Sequence, residues 1–191
     1  MSALRTKGSA FLNCFWDLVS DDQLKRNEAA VGILTYLHSL DDAQTTDERA
    51  KDIGYALKRL VRGLSSSRES ARLGFASCLT EAVKLQSVTV IEVIDLIEDS
   101  TKITGSAKGV DERDLMFGRL FGFLALVRSG RLDEDFENGQ KVFEALVELL
   151  PTKGWLREIV IEALLEHLEH STPLLITSVM VPRYVLLVLS W

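Results

Sequence analysis

Apolar residues recur along this chain at helical spacing almost from end to end. Over residues 53–64, Ile53, Ala56, Leu57, Leu60, Val61 and Leu64 follow the i, i+3, i+4 rhythm that lines one face of a helix. Arg59 and Arg62 fall off that stripe, toward solvent. Val142, Phe143, Leu146, Val147, Leu149 and Leu150 repeat the rhythm. The strict alternation of a half-buried strand is hard to find, and Asn138-Gly139 lies in an acidic stretch with helical flanks rather than in a hairpin. Helix starts are marked by Thr45-x-x-Glu48, Ser66-x-x-Glu69 and Thr89-x-x-Glu92, each matching a capping box in which a hydroxyl accepts an orphan N–H of the first turn. Gly63 after Arg62 and Gly130 after Arg128 read as helix stops. The pattern predicts about nine helices, over residues 8–19, 21–39, 46–62, 66–86, 88–99, 111–129, 134–150, 154–170 and 174–190.

Helices joined by short turns stack as antiparallel neighbours, and two helices per 40 residues or so is the scale of HEAT and armadillo units. No residue motif repeats, so the repeat is architectural, and a closed bundle is the alternative. The helix at 111–129 favours the stack. Leu115, Met116, Phe117, Leu120, Phe121, Phe123, Leu124, Leu126 and Val127 cannot share one stripe, so it must be covered on several sides. The fold class expected is therefore all-α, a HEAT/armadillo-like helical repeat or α-solenoid. It forms a single domain over 1–191, with an exposed loop at 100–110 (STKITGSAKGV). Gly32, Gly54, Gly74, Gly118 and Gly122 fall inside predicted helices, where each costs about 1 kcal/mol against Ala. Close approach of a neighbouring helix is the expected offset.

Composition narrows the class. Hydrophobic residues make up 47% of 191, which excludes disorder, and 2 Cys exclude a disulfide scaffold. The net charge of -6 argues against a basic nucleic-acid binder until it is divided along the chain. Residues 1–132 carry 18 Lys and Arg against 18 Asp and Glu, whereas 133–170 carry 3 against 10. The acidity is local to one late segment. The start, MSALRTKGSAFLN, lacks the apolar core of a secretory signal. The apolar stretch at 173–191 approaches the length of a membrane span, but Pro182-Arg183 near its middle makes spanning costly, so no membrane role is expected. It reads instead as a buried helix pair awaiting a cover, as though the chain were cut short.

One cluster stands out. Residues 58–72 hold Lys58, Arg59, Arg62, Arg68 and Arg72 with Glu69 as the single acid, around Gly63 and the run Ser65, Ser66, Ser67. A helix starting at Ser66 would present N–H groups and a positive dipole end to an anion. Lys58, Arg59, Arg62, Ser66, Ser67, Arg68 and Arg72 are thus candidates for contact with nucleic-acid phosphate, or the serines for phosphorylation. Solvated cations around an ordinary cap are the structural alternative. Other constellations carry less. His167 and His170 are three apart beside Glu166 and Glu169, without a third zinc ligand, so no metal or cofactor is expected. Asp21-Asp22 and Asp41-Asp42 sit at helix edges, where Asp caps helices. There is no Walker A loop, no GxGxxG and no nucleophile–His pattern, so neither catalysis nor a small-molecule substrate has support.

Two segments go beyond generic helical repeats. In the first, Leu60, Arg62, Gly63 and Leu64 lead to Ser67, Arg68, Ala71, Arg72, Gly74 and Phe75. In the second, Asp111, Glu112 and Arg113 precede Phe117, Gly118, Arg119, Leu120, Phe121 and Gly122. Both resemble the N-terminal region of the Myb-binding protein 1A family, also called DNA polymerase V or polymerase phi, and Phe15-Trp16-Asp17-Leu18 is similar more weakly. The resemblance covers roughly residues 11–150. It implies a nuclear, mainly nucleolar helical-repeat protein linked to rRNA gene transcription, ribosome biogenesis, and binding of transcription factors or rDNA. It also implies a chain several times longer, with an acidic tract and a basic tail. The alternatives are a DNA-directed DNA polymerase, as the family name says, or a pure protein-binding co-regulator module. No palm-domain carboxylate motif supports the polymerase, so a noncatalytic scaffold is expected.

Overall fold

The apolar stripes become the inner faces of helices. In a computed structural model, residues 11–41, 47–103, 105, 109–133 and 135–183 are described, and none of them lies in a strand. The helices are α1 (11–17), α2 (Gln23–Asp41), α3 (Asp47–Gly63), α4 (Glu69–Ala82), α5 (Val90–Ser100), α6 (Val110–Arg128), α7 (Phe136–Leu149), α8 (Arg157–Glu169) and α9 (Pro173–Leu175). α9 widens into a π-helical turn, Ile176–Met180.

Local chemistry sets most boundaries. Thr89 caps α5 by accepting from Glu92 N, and Asp135 caps α7 by accepting from Asn138 N. Asp22 accepts from Leu24 N at the start of α2. Asp41, at the end of α2, accepts from Gln86 N and Ser87 N and so ties that helix to the turn before α5. Gly130 takes φ +73 after α6, the left-handed conformation of a glycine stop. Gly63 ends α3 for another reason, given below. The predicted Ser66–Glu69 box does not form: α4 begins at Glu69, Arg68 is its N-cap without a side-chain bond, and Ser66 Oγ accepts from Arg68 N instead. Thr45, of the third box, lies outside the described residues. Of the segment expected as a loop, Lys102, Ile103, Gly105 and Gly109 are exposed, while Thr101 is buried with its hydroxyl donating to Ile97 O at 2.6 Å.

Two compact units divide between Ala125 and Leu126, within α6. In the first, α2 and α3 both pack on α4, and α3 also packs on α5. α2 also touches α3, so α2 and α3 each contact both the next helix and the next but one, the neighbour packing by which helical repeats stack. Its core includes Phe15, Leu18, Ile33, Leu57, Leu79 and Phe123. In the second unit α7 packs on α8 and α9. Phe143, Leu175 and Met180 form a cluster there, closed by Val147, Leu164, Leu168, Ile176 and Val179. Of the apolar segment after 173, Leu175 and Met180 are thus buried in this cluster with α7 and α8, while Leu174 and Val181 stay exposed, and residues 184–191 lie outside the described part. Arg128 grips Glu166 with two bonds, of 2.7 and 2.9 Å.

Candidate nucleic-acid interface

The cationic run at 58–72 is split by helix phase. On α3, Tyr55, Lys58, Arg59 and Arg62 are spaced i, i+3, i+4, i+7 and share one face, opposite the buried Ala56, Leu57, Leu60 and Val61. Lys51 precedes Tyr55 by one turn and is exposed. Lys58 and Arg62 are exposed and form no ion pair among the described residues. Arg59 is half-buried. Its guanidinium lies 4.9 Å from the Phe15 ring centre, 5.8 Å from Trp16 and 5.9 Å from Tyr55, and it donates to Tyr55 Oη at 2.9 Å.

Arg68 and Arg72 have other partners. Arg68, exposed at the start of α4, bonds Asp21 at 2.9 Å, and Ser70 donates to the same oxygen at 2.8 Å. These bonds, Ser70 first, hold the Asp21 carboxyl below the usual carboxylate range. Asp21, Arg26, Arg68, Glu69, Ser70 and Leu73 line a shallow depression. Arg72 is only 8% exposed. Its Nη1 donates to Ser66 O at 2.7 Å, its guanidinium lies 4.6 Å from the Phe117 ring centre, and its Nε has no hydrogen-bond partner. Ser67 is exposed and Ser66 half-buried. The first turn of α4 already carries a negative side chain, Glu69.

The two motif segments therefore meet. Arg72 of the first lies on Phe117 of the second. A Cβ on Gly118 would run into Ser65, and one on Gly63 into the Phe75 ring, so both glycines are required by close approach. A Cβ on Gly74 would run into Leu18 O, and one on Gly122 would stand 2.8 Å from Ile97. Arg119 reaches Glu98 at 3.8 Å and lies over Phe123, while Phe121 packs near Phe117. Asp111 and Glu112 open α6, where acids suit the helix dipole, and Arg113 bonds the neighbouring Asp114. Gly32 also fits the packing expectation, with Cys14 Sγ 2.9 Å from its Cβ position. Gly54 does not: no atom lies within 4 Å of its Cβ position, so no close approach explains it.

The remaining chemistry is accounted for structurally. His167 is buried, donates Nε2–H to Gly139 O at 2.9 Å, and is held below its ordinary pKa by burial. Burial pushes the Cys78 thiol up to about 12 and raises Cys14 as well, so neither is an activated thiolate. Among the described residues no three His, Cys, Asp or Glu side chains are grouped to hold a metal, and no helix is long and apolar enough to cross a membrane. The aromatic setting of Arg59 was half-readable: the Tyr55–Arg59 spacing is visible on α3, but Trp16 arrives from α1, nearly forty residues away. The burial of Arg72 was signalled by its place three before Phe75 and seven before Leu79, on the inner stripe of α4.

The sequence model of the DNA polymerase phi family matches residues 55–183, a span that holds both motif segments. The rDNA transcriptional regulator pol5 of Schizosaccharomyces pombe is 37% identical over 152 residues, 78% of this chain and 15% of that protein. The rDNA transcriptional regulator POL5 of Saccharomyces cerevisiae is 33% identical over 180 residues, 79% of this chain and 17% of that protein. Myb-binding protein 1A of Mus musculus is 32% identical over 157 residues, 82% of this chain and 11% of that protein. The chain thus spans between 11% and 17% of the length of these relatives. No solved structure matches it. With the family pattern covering most of the chain and its two signature segments packed against each other, this protein belongs to the DNA polymerase phi family.

Proposed function

We propose that this chain is a noncatalytic helical-repeat scaffold that acts in the nucleus, in the nucleolus, on rRNA gene transcription and ribosome biogenesis. The names of two relatives as rDNA transcriptional regulators support the transcriptional role. The name Myb-binding protein supports transcription factors as partners, beside ribosome-biogenesis proteins. Its contact with nucleic acid, rDNA included, runs through the outer face of α3. The observation that carries this is the row Lys51, Lys58, Arg59 and Arg62: Lys58 and Arg62 are exposed and form no ion pair among the described residues, and the acids near the row, Glu48 and Asp52, lie toward its N-terminal end, where Asp52 accepts from the Tyr36 hydroxyl at 2.6 Å. Arg68 and Ser67 lie at the edge of the contact, and Arg72 supports it from beneath. The sequence carries no palm-domain carboxylate motif, and primer extension with Mg²⁺ is expected to give no incorporation.

The test is the salt dependence of binding to an rDNA duplex, read by fluorescence anisotropy. Phosphate contacts release counterions, so affinity falls steeply as salt rises. Reversing Lys58→Glu and Arg62→Glu together is expected to lower the slope of log K against log salt by about 2. An unchanged slope overturns the contact.

A further inference from the structure

The exposed face of α3 is lined by aromatic rings as well as charge, Tyr55 from α3 itself and Trp16 from α1. Trp16 is 69% exposed and Tyr55 is 41% exposed. Most of a large apolar ring left in water gives up burial free energy, so its position needs a reason. Both rings are held by one side chain, since the Arg59 guanidinium lies within 5.9 Å of each ring centre and its Nη1 bonds the Tyr55 hydroxyl. Phe15, buried beneath, packs edge-on to Tyr55 with ring centres 6.3 Å apart. The two rings are therefore fixed in orientation while much of their surface is open. Beside them, Lys51, Lys58 and Arg62 extend the row along about 16 Å of helix.

We infer that this face binds single-stranded nucleic acid, with unpaired bases stacking on Trp16 and Tyr55 and the phosphates following Lys51, Lys58 and Arg62. The inference rests on the nucleic-acid contact proposed above and names its ligand class. A duplex can offer phosphates to such a row, but its bases are stacked on one another and closed to the rings. A single strand can offer both, and stacking on aromatic side chains beside a cationic track is the physical basis of sequence-tolerant single-strand binding. Charge complementarity favours this polyanion over an apolar partner helix, which would leave Lys58 and Arg62 desolvated without counter-charge.

The experiment uses the full chain and labelled 12-nucleotide probes at about 50 mM salt: oligo(U), oligo(dT), an abasic strand of the same length, and a duplex. The single strand, as RNA or as DNA, is expected to bind about tenfold or more tightly than the abasic strand or the duplex. Trp16→Ala is expected to weaken single-strand binding about tenfold and leave duplex binding unchanged, with Tyr55→Ala acting in the same direction. Lys58→Glu with Arg62→Glu is expected to weaken every probe. The variants' thermal melts establish that they fold, and Trp16→Phe, which keeps a ring, should retain most binding. Equal binding of abasic and base-bearing strands, or no effect of Trp16→Ala, overturns stacking while leaving the nucleic-acid contact standing. Absence of binding to any probe overturns both. Binding of an acidic, aromatic-containing peptide in place of any oligonucleotide also overturns the assignment to nucleic acid.

Discussion

Arg62 and Arg72 lie ten residues apart in one cationic run, yet they do opposite work. Arg62 stands in solvent on α3, without an ion pair among the described residues. Arg72 is buried on α4, bonded to Ser66 O and stacked on Phe117. The difference comes from helix phase. Arg62 is off the stripe of Leu57, Leu60, Val61 and Leu64, whereas Arg72 shares the stripe of Phe75 and Leu79. Arginine serves in both places because its planar head can either face phosphate or lie on an aromatic ring while its stem packs. A charge run in sequence is therefore not yet a surface, and the run at 58–72 is part surface and part joint.

The largest expected effect falls on the joint. Arg72→Glu puts a carboxylate against a carbonyl oxygen and a ring face, and should destabilise the protein by about 3 kcal/mol or more. Arg62→Glu should move stability by no more than about 0.5 kcal/mol. Urea denaturation of the two variants checks the contrast, and similar losses would erase it.

His167 provides a second buried polar group to set beside Arg72, and here the charge is given up. Burial holds its pKa below the ordinary value, so the unfolded chain binds the proton more readily than the folded one. Its contribution is fully present above about pH 6.5, the unfolded value, and is lost as pH falls from there toward the lower folded value. The urea midpoint should drop on acidification through that window, and His167→Gln should flatten the drop.

The smallest effects separate the glycines. Gly118→Ala drives a methyl into Ser65 and should cost about 1–3 kcal/mol, while Gly54→Ala meets open space and should stabilise by about 0.5–1 kcal/mol. Thermal melts of the two variants should shift in opposite directions.

The helices were readable because spacing reports one-sided burial directly. α3, α5 and α7 fall within three residues of their expected ends. The start of α4 was misplaced because Ser66 has an equally good local use, accepting from Arg68 N in the turn rather than capping the helix. The glycines told that something comes close, but not what: Gly63 proved to be shaped by Phe75, twelve residues on, and Gly118 by Ser65, more than fifty residues back. The α3 face was half legible for the same reason. Its cations and Tyr55 belong to one helix and follow from spacing, but Trp16 joins them through tertiary packing that no local pattern encodes.

The central claim is that the outer face of α3 carries binding while Arg72 only supports it. Nucleic-acid affinity of the Lys58→Glu, Arg62→Glu double variant and of Arg72→Met, measured on folded protein at one salt concentration, tests this most directly. The double variant should lose binding about tenfold or more at unchanged stability, and Arg72→Met should bind as the wild type despite a lower melting temperature. Binding retained by the double variant and lost in folded Arg72→Met would contradict the account.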